Sequence, residues 1–176
     1  MKFIILIVKG ENMNEIINIT PNPDAVTHNT EIGRANEFSK RISKTHCYVD
    51  ETGNWHVYNG NIWKEESKKF LQAEALDFLK DTASDISVIE DGRDRNDEAR
   101  EFQRHANRSL VNNLVELASY QLIKSVNDFD QDIYGIAVGN GWINLKDGKY
   151  YPPSPEKLFT KSILVPYCKD SQATLW

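Results

Sequence analysis

The stretch FDQDIYGIAVGNGWINLKDGKYYPPSP, residues 129–155, decides how the rest of the chain is read. Ile133, Gly135, Ala137 and Val138 form a strand-like run, Asn140-Gly141 is a turn signal, and Trp142 opens a second strand that runs to Leu145. Asp147-Gly148 turns the chain again before Lys149-Tyr150-Tyr151. Pro152-Pro153 offers no backbone donors and closes the ladder. The stretch predicts a compact three-stranded meander, shaped by Asn140, Gly141, Leu145 and Gly148 and anchored by Trp142.

A second β unit is expected upstream. Tyr48-Val49-Asp50 and residues 54–58 read as strands about the turn Glu51-Thr52-Gly53, and Asn59-Gly60 before Ile62-Trp63 predicts a tight hairpin with both central positions at positive φ. Trp55, Tyr58 and Trp63 have Glu51, Glu65 and Glu66 around them and only Lys64 as a basic neighbour. That setting suits packed anchors better than a base-stacking platform, which interleaves aromatic and basic residues.

Between and before these units the pattern is helical. Asn29 or Thr30 caps a first helix with Ile32, Ala35, Phe38 and Ile42 on one face, ending near Lys44. Residues 67–83 present Phe70, Leu71, Ala75, Phe78 and Leu79. Residues 84–97 read as a polar connection. One long helix over 96–126 then carries two apolar rows, Phe102, Ala106, Leu110, Leu114 and Val111, Val115, Ala118, Leu122, Val126, which makes it the expected spine. Past the prolines, one helical turn near Ser154 to Lys157 and a last strand within 159–167 are expected. The fold class predicted is α+β, a mainly helical core with two small antiparallel β units and no internal sequence repeat.

Residues 1–29 form a separate N-terminal strand or extension and linker, and 30–176 the folded module. The apolar run FIILIV at 3–8 is too short for a membrane span and lacks a small-residue cleavage site, so a buried strand is expected. Twenty-six acidic against 21 basic residues give a net charge of -5. A surface-wide phosphate-binding face is thereby excluded, and any nucleic-acid contact needs a local patch. Cys47 and Cys168 show neither disulfide nor zinc spacing, which fits a cytoplasmic setting.

The chemistry-bearing patterns are sparse. Gly135, Gly139 and Gly141 are not followed by a helix, and no Gly-Lys-Ser/Thr occurs, so a nucleotide loop is not expected. Asp128, Asp130 and Asp132 alternate like cation ligands, but an EF-hand register places Ile133 at the glycine position and Gly139 at the closing glutamate. A helix-terminating acidic turn is the plainer account. His28, His46, His56 and His105 are scattered. No catalytic residue, metal or cofactor is assigned. Arg100, Arg104 and Arg108, at i, i+4, i+8 on the expected long helix, are the nucleic-acid candidates, although Asp97 and Glu101 stand where they form surface pairs with Arg100 and Arg104.

The hairpins together resemble the module that precedes the superfamily-3 helicase domain in phage and plasmid primases and in the poxvirus helicase-primase. The resemblance is carried by Phe129-Asp130, the run Gly139-Asn140-Gly141-Trp142-Ile143-Asn144-Leu145, Asp147-Gly148-Lys149, Pro153-Ser154-Pro155 and residues 173–176. Gly33, Ala35, Phe38, Trp55, Gly60 and Trp63 add the upstream part, so that it spans residues 30–176. Arg34 and Glu37 stand where the family has Asn and Arg, and Asn144 where it has Asp. The resemblance implies a non-catalytic part of a DNA replication protein that supports helicase assembly and touches DNA. Its expected partners are a helicase domain or subunit, DNA and further copies of itself, with no membrane. The alternative is a stand-alone phage protein that binds and modulates a replication partner.

Overall fold

The computed structural model describes residues 30–90, 92–105 and 107–170. The expected strand at 3–8, the linker, His28 and the closing residues 173–176 lie outside the described residues.

Helix α1 spans Glu31–Ile42 and is capped by Thr30, whose Oγ1 accepts from the Gly33 N–H at 3.0 Å. Glu31 in its first turn and Lys40 and Arg41 in its last complement the helix dipole. Ala35, Phe38 and Ile42 are buried, but Ile32, expected on the same face, is 60% exposed. Strands β1 (His46–Val49), β2 (Asn54–Tyr58) and β3 (Trp63–Glu66) form an antiparallel meander. The β2–β3 connection is not the two-residue turn expected. It occupies 59–62, and Gly60 alone within it has positive φ, at 91°. The Asn59 carboxamide oxygen instead accepts the N–H groups of Asn61 and Ile62, so the asparagine works as a side-chain turn.

Helix α2 covers Lys68–Ser87 and buries Leu71, Ala75, Phe78, Leu79 and Ile86, while Phe70, expected on that face, is exposed. The expected polar connection is therefore mostly helix, because α3 follows at Gly92–His105. The expected spine is two helices, α3 and α4 (Arg108–Gln121). Asn107 starts the second, its Oδ1 accepting the Leu110 N–H at 3.0 Å. An asparagine that caps has left helical backbone geometry, which is why rows of apolar residues run through the break without preventing it. Leu122 and Val126, assigned to the spine, lie beyond α4. Ile123–Lys124 forms β4, and Val126–Asp128 a 3-10 turn.

In the second unit β5 (Gly135–Val138), β6 (Gly141–Asn144) and β7 (Lys149–Tyr151) make the expected meander, starting two residues later than the apolar run suggested. A 3-10 turn, Pro155–Lys157, is where one helical turn was expected, and the last strand is only β8, Ser162–Ile163. Neither unit is purely antiparallel: β4 pairs parallel with β1 and β8 pairs parallel with β5, giving four-stranded orders β3-β2-β1-β4 and β7-β6-β5-β8. The class is α+β.

The main core packs α1, α2, α3 and α4 together with Trp55 of β2. Two smaller clusters form a seam between the sheets: Cys47, Val49, Trp63 and Phe129, then Ile62, Ala137, Trp142 and Phe159. Trp63 ties the seam with its backbone N–H to the Phe159 carbonyl at 2.8 Å and its indole N–H to the Pro155 carbonyl at 2.9 Å. Among the described residues no helix is long and apolar enough to cross a membrane.

Candidate functional site

The residues marked in the β units are structural in different ways. Trp142 is buried, with Tyr151 stacked on it at 4.5 Å and the Lys157 ammonium 4.1 Å from its ring centre. A Cβ on Gly141 would lie 2.3 Å from the Tyr151 carbonyl oxygen, so this glycine permits close backbone approach. Gly60 and Gly148 have open space but positive φ. Asn140 clamps Tyr167, donating to its carbonyl at 3.0 Å and accepting its N–H at 2.8 Å. Leu145, by contrast, is exposed, and its part is a backbone N–H to the Tyr134 carbonyl.

The alternating aspartates do not converge. Asp128 accepts the Ser125 N–H, Asp130 accepts from Thr160, and Asp132 receives Lys157 at 2.7 Å and the Tyr134 N–H. The Lys157 hydrogen bond, first, holds the Asp132 carboxyl below its ordinary range. Among the described residues no three His, Cys, Asp or Glu side chains gather closely enough to hold a metal ion.

A cavity of about 460 Å³ lies along the seam, bordered by His46, Cys47, Trp63, Lys124 and Leu158. Burial lowers the His46 pKa and pushes the Cys47 thiol up to about 12. At neutral pH the thiol is thus protonated and the imidazole neutral, so the pair is not an activated nucleophile. A wider groove under the first sheet is acidic, with Asp50, Glu65, Glu66 and Glu116 against Lys68, and repels phosphate.

The three candidate arginines do not form one row. Arg100 and Arg104 stand one turn apart on α3, both exposed, and Arg104 is paired with Glu101 at 2.9 Å. Arg108 is the first residue of α4, across the break. There it borders an open groove of about 600 Å³ whose apolar lining is Leu76, Leu79, Ala83, Phe102 and Val111.

Sequence reading marked Arg34 only as a departure from the family pattern and missed its burial. It is 2% exposed, its guanidinium carbon 5.3 Å from the centre of the Phe102 ring, and its Nε and Nη2 have no hydrogen-bond partner among the described residues. Burial lowers its pKa, opposed by the charges of Glu101 and Glu37. The signal was available, because Arg34 precedes Phe38 by four residues and Ile42 by eight, on the apolar stripe of α1.

A family model described as D5 N terminal like matches residues 35–176. No curated protein matches the chain.

Proposed function

The chain belongs to the D5 N-terminal-like family, the module preceding the superfamily-3 helicase domain in primase-helicase proteins, and from that premise we propose that it is a non-catalytic element of a phage or plasmid replication protein that supports helicase assembly. The observation that carries the reading is the extent of the match. It takes in both sheets, the seam and the helical core, so the likeness belongs to the folded unit rather than to one motif. The buried anchors agree with this role: Trp55, Trp63 and Trp142 join elements to one another and leave outer surfaces for partners. DNA contact belongs to the α3 face, where Arg100 and Arg104 are both exposed and Arg104 is ion-paired with Glu101.

The test is assembly. A superfamily-3 helicase domain from the same replicon should form rings at lower protein concentration when this module is joined to it, read by sedimentation velocity, and the module alone should neither hydrolyse nucleotide nor make primers. Unchanged assembly, or hydrolysis by the module alone, overturns the reading. For DNA, Arg100→Glu with Arg104→Glu should abolish a salt-sensitive anisotropy shift of labelled single-stranded DNA. A second reading, a protein that binds and modulates a replication partner in trans, is favoured by the open groove between α2, α3 and α4.

A further inference from the structure

We propose that the groove between α2, α3 and the start of α4 is a docking site for an acidic, amphipathic helical segment of another protein. The argument is independent of the replication reading and rests on the lining. Leu76, Leu79, Ala83, Phe102 and Val111 supply the apolar surface, and Leu76 is left 47% exposed. Among the described residues the charged ones bordering it are Lys80 and Arg108, the other polar ones are the amides Gln72, Asn107 and Asn112, and none is a carboxylate. Lys80 is engaged by Asp77 at 2.7 Å one turn earlier on α2. Arg108 carries an exposed guanidinium at the N-terminal end of α4, where the helix dipole adds positive potential.

An apolar groove with a cationic edge is selective in two ways. Apolar side chains spaced three or four residues apart on a helix enter such a groove from one face. A Glu or Asp flanking them meets Arg108, whose planar fork holds a carboxylate with two hydrogen bonds. The groove is firmly based, because the Gln72 amide donates to Asn112 at 2.8 Å and so links α2 to α4. Beneath it Phe102 also carries the Arg34 guanidinium. Nucleic acid fits less well: a phosphate backbone gains nothing from the aliphatic lining.

The test uses the full chain and two labelled synthetic amphipathic helices that share a leucine face and differ only in flanking Glu or Lys. The acidic peptide should bind at least about tenfold more tightly than the basic one, a preference that high salt reduces. Arg108→Glu should reverse the preference and Arg108→Gln should erase it. Ala83→Trp, at an exposed groove position, should block both peptides. Unchanged thermal melts for all three variants establish that the fold persists; should Ala83→Trp melt early, the two Arg108 variants decide. Equal binding of the two peptides, or binding that ignores both Arg108 substitutions, overturns the proposal. So does displacement of the acidic peptide by single-stranded DNA, or a concentration-dependent dimer of the chain that Ala83→Trp abolishes.

Discussion

The two sheets share one wiring plan and differ in what fills it. In each, three strands form an antiparallel meander and a fourth returns to lie parallel to the first. Between the third and fourth strands the first sheet holds α2, α3 and α4, whereas the second holds residues 152–161 with a single 3-10 turn. The first sheet thereby gains a helical layer against Trp55. The second covers Ala137 and Trp142 with Phe159 and with Ile62, a residue lent by the β2–β3 loop of the other sheet. Small sheets need a covered apolar face to be stable. The difference therefore makes the first sheet part of the domain core and the second sheet a dependant of the seam.

Trp63→Ala should have the largest effect. It removes a 4%-exposed ring and an indole hydrogen bond, at a cost of about 3–5 kcal/mol in urea unfolding. Hydrogen exchange should rise in β5 to β8 well before it rises in α4; equal loss everywhere would erase the distinction between the sheets. Gly141→Ala comes next, costing about 1–3 kcal/mol because its Cβ meets backbone that must move. Gly148→Ala, with open space and φ of 65°, should cost nearer 1 kcal/mol from conformational strain alone. Finding the two glycines equal would mean that the β6–β7 contact yields easily.

Cys47 sharpens the contrast by reactivity. Its thiol is buried in the seam while Cys168 is exposed, so a thiol reagent at pH 8 should label Cys168 at once and Cys47 only on unfolding. Burial raises the folded pKa of Cys47 from 9.0 to about 12, so within that window the unfolded chain has lost a proton that the folded chain keeps. Stability from this group is complete below pH 9 and falls as pH rises toward 12; Cys47→Ala should flatten that alkaline slope. His46 acts at the other end. Its depressed pKa means that the unfolded chain takes up a proton first, so stability falls as pH drops below the ordinary imidazole range. The smallest effect belongs to the solvent-exposed Arg41–Asp81 pair at 2.6 Å, where Asp81→Asn should cost no more than about 0.5 kcal/mol.

Both meanders were legible in the sequence because period-two alternation and turn residues are local. The α1 cap was legible for the same reason. Of the two parallel edge strands only β8 was expected, within 159–167; β4 and both parallel pairings were not, since a two-residue pairing leaves no periodic trace. The break between α3 and α4 hid behind apolar rows that continue through it, and the arginine row, inferred from one unbroken helix, disappeared with that helix. Of the groove's lining, Leu79, Phe102 and Val111 were read as core-facing positions and Arg108 was marked for another ligand. That lining joins residues from three helices, a proximity that no spacing within one helix reveals.

The parallel pairing of β4 with β1 sets a timetable for folding. The meander of β1 to β3 is local and can form as soon as it is made. The free edge of β1 is closed only when Leu122 and Lys124 arrive to accept the N–H groups of Tyr48 and Asp50. Residues 51–121 must be synthesised in between, roughly 4–14 seconds at ribosomal rates. During that interval an unpaired strand edge faces the cell, and how promptly α4, which leads directly into β4, then packs onto α1 governs how much longer the nascent chain is exposed to edge-to-edge association.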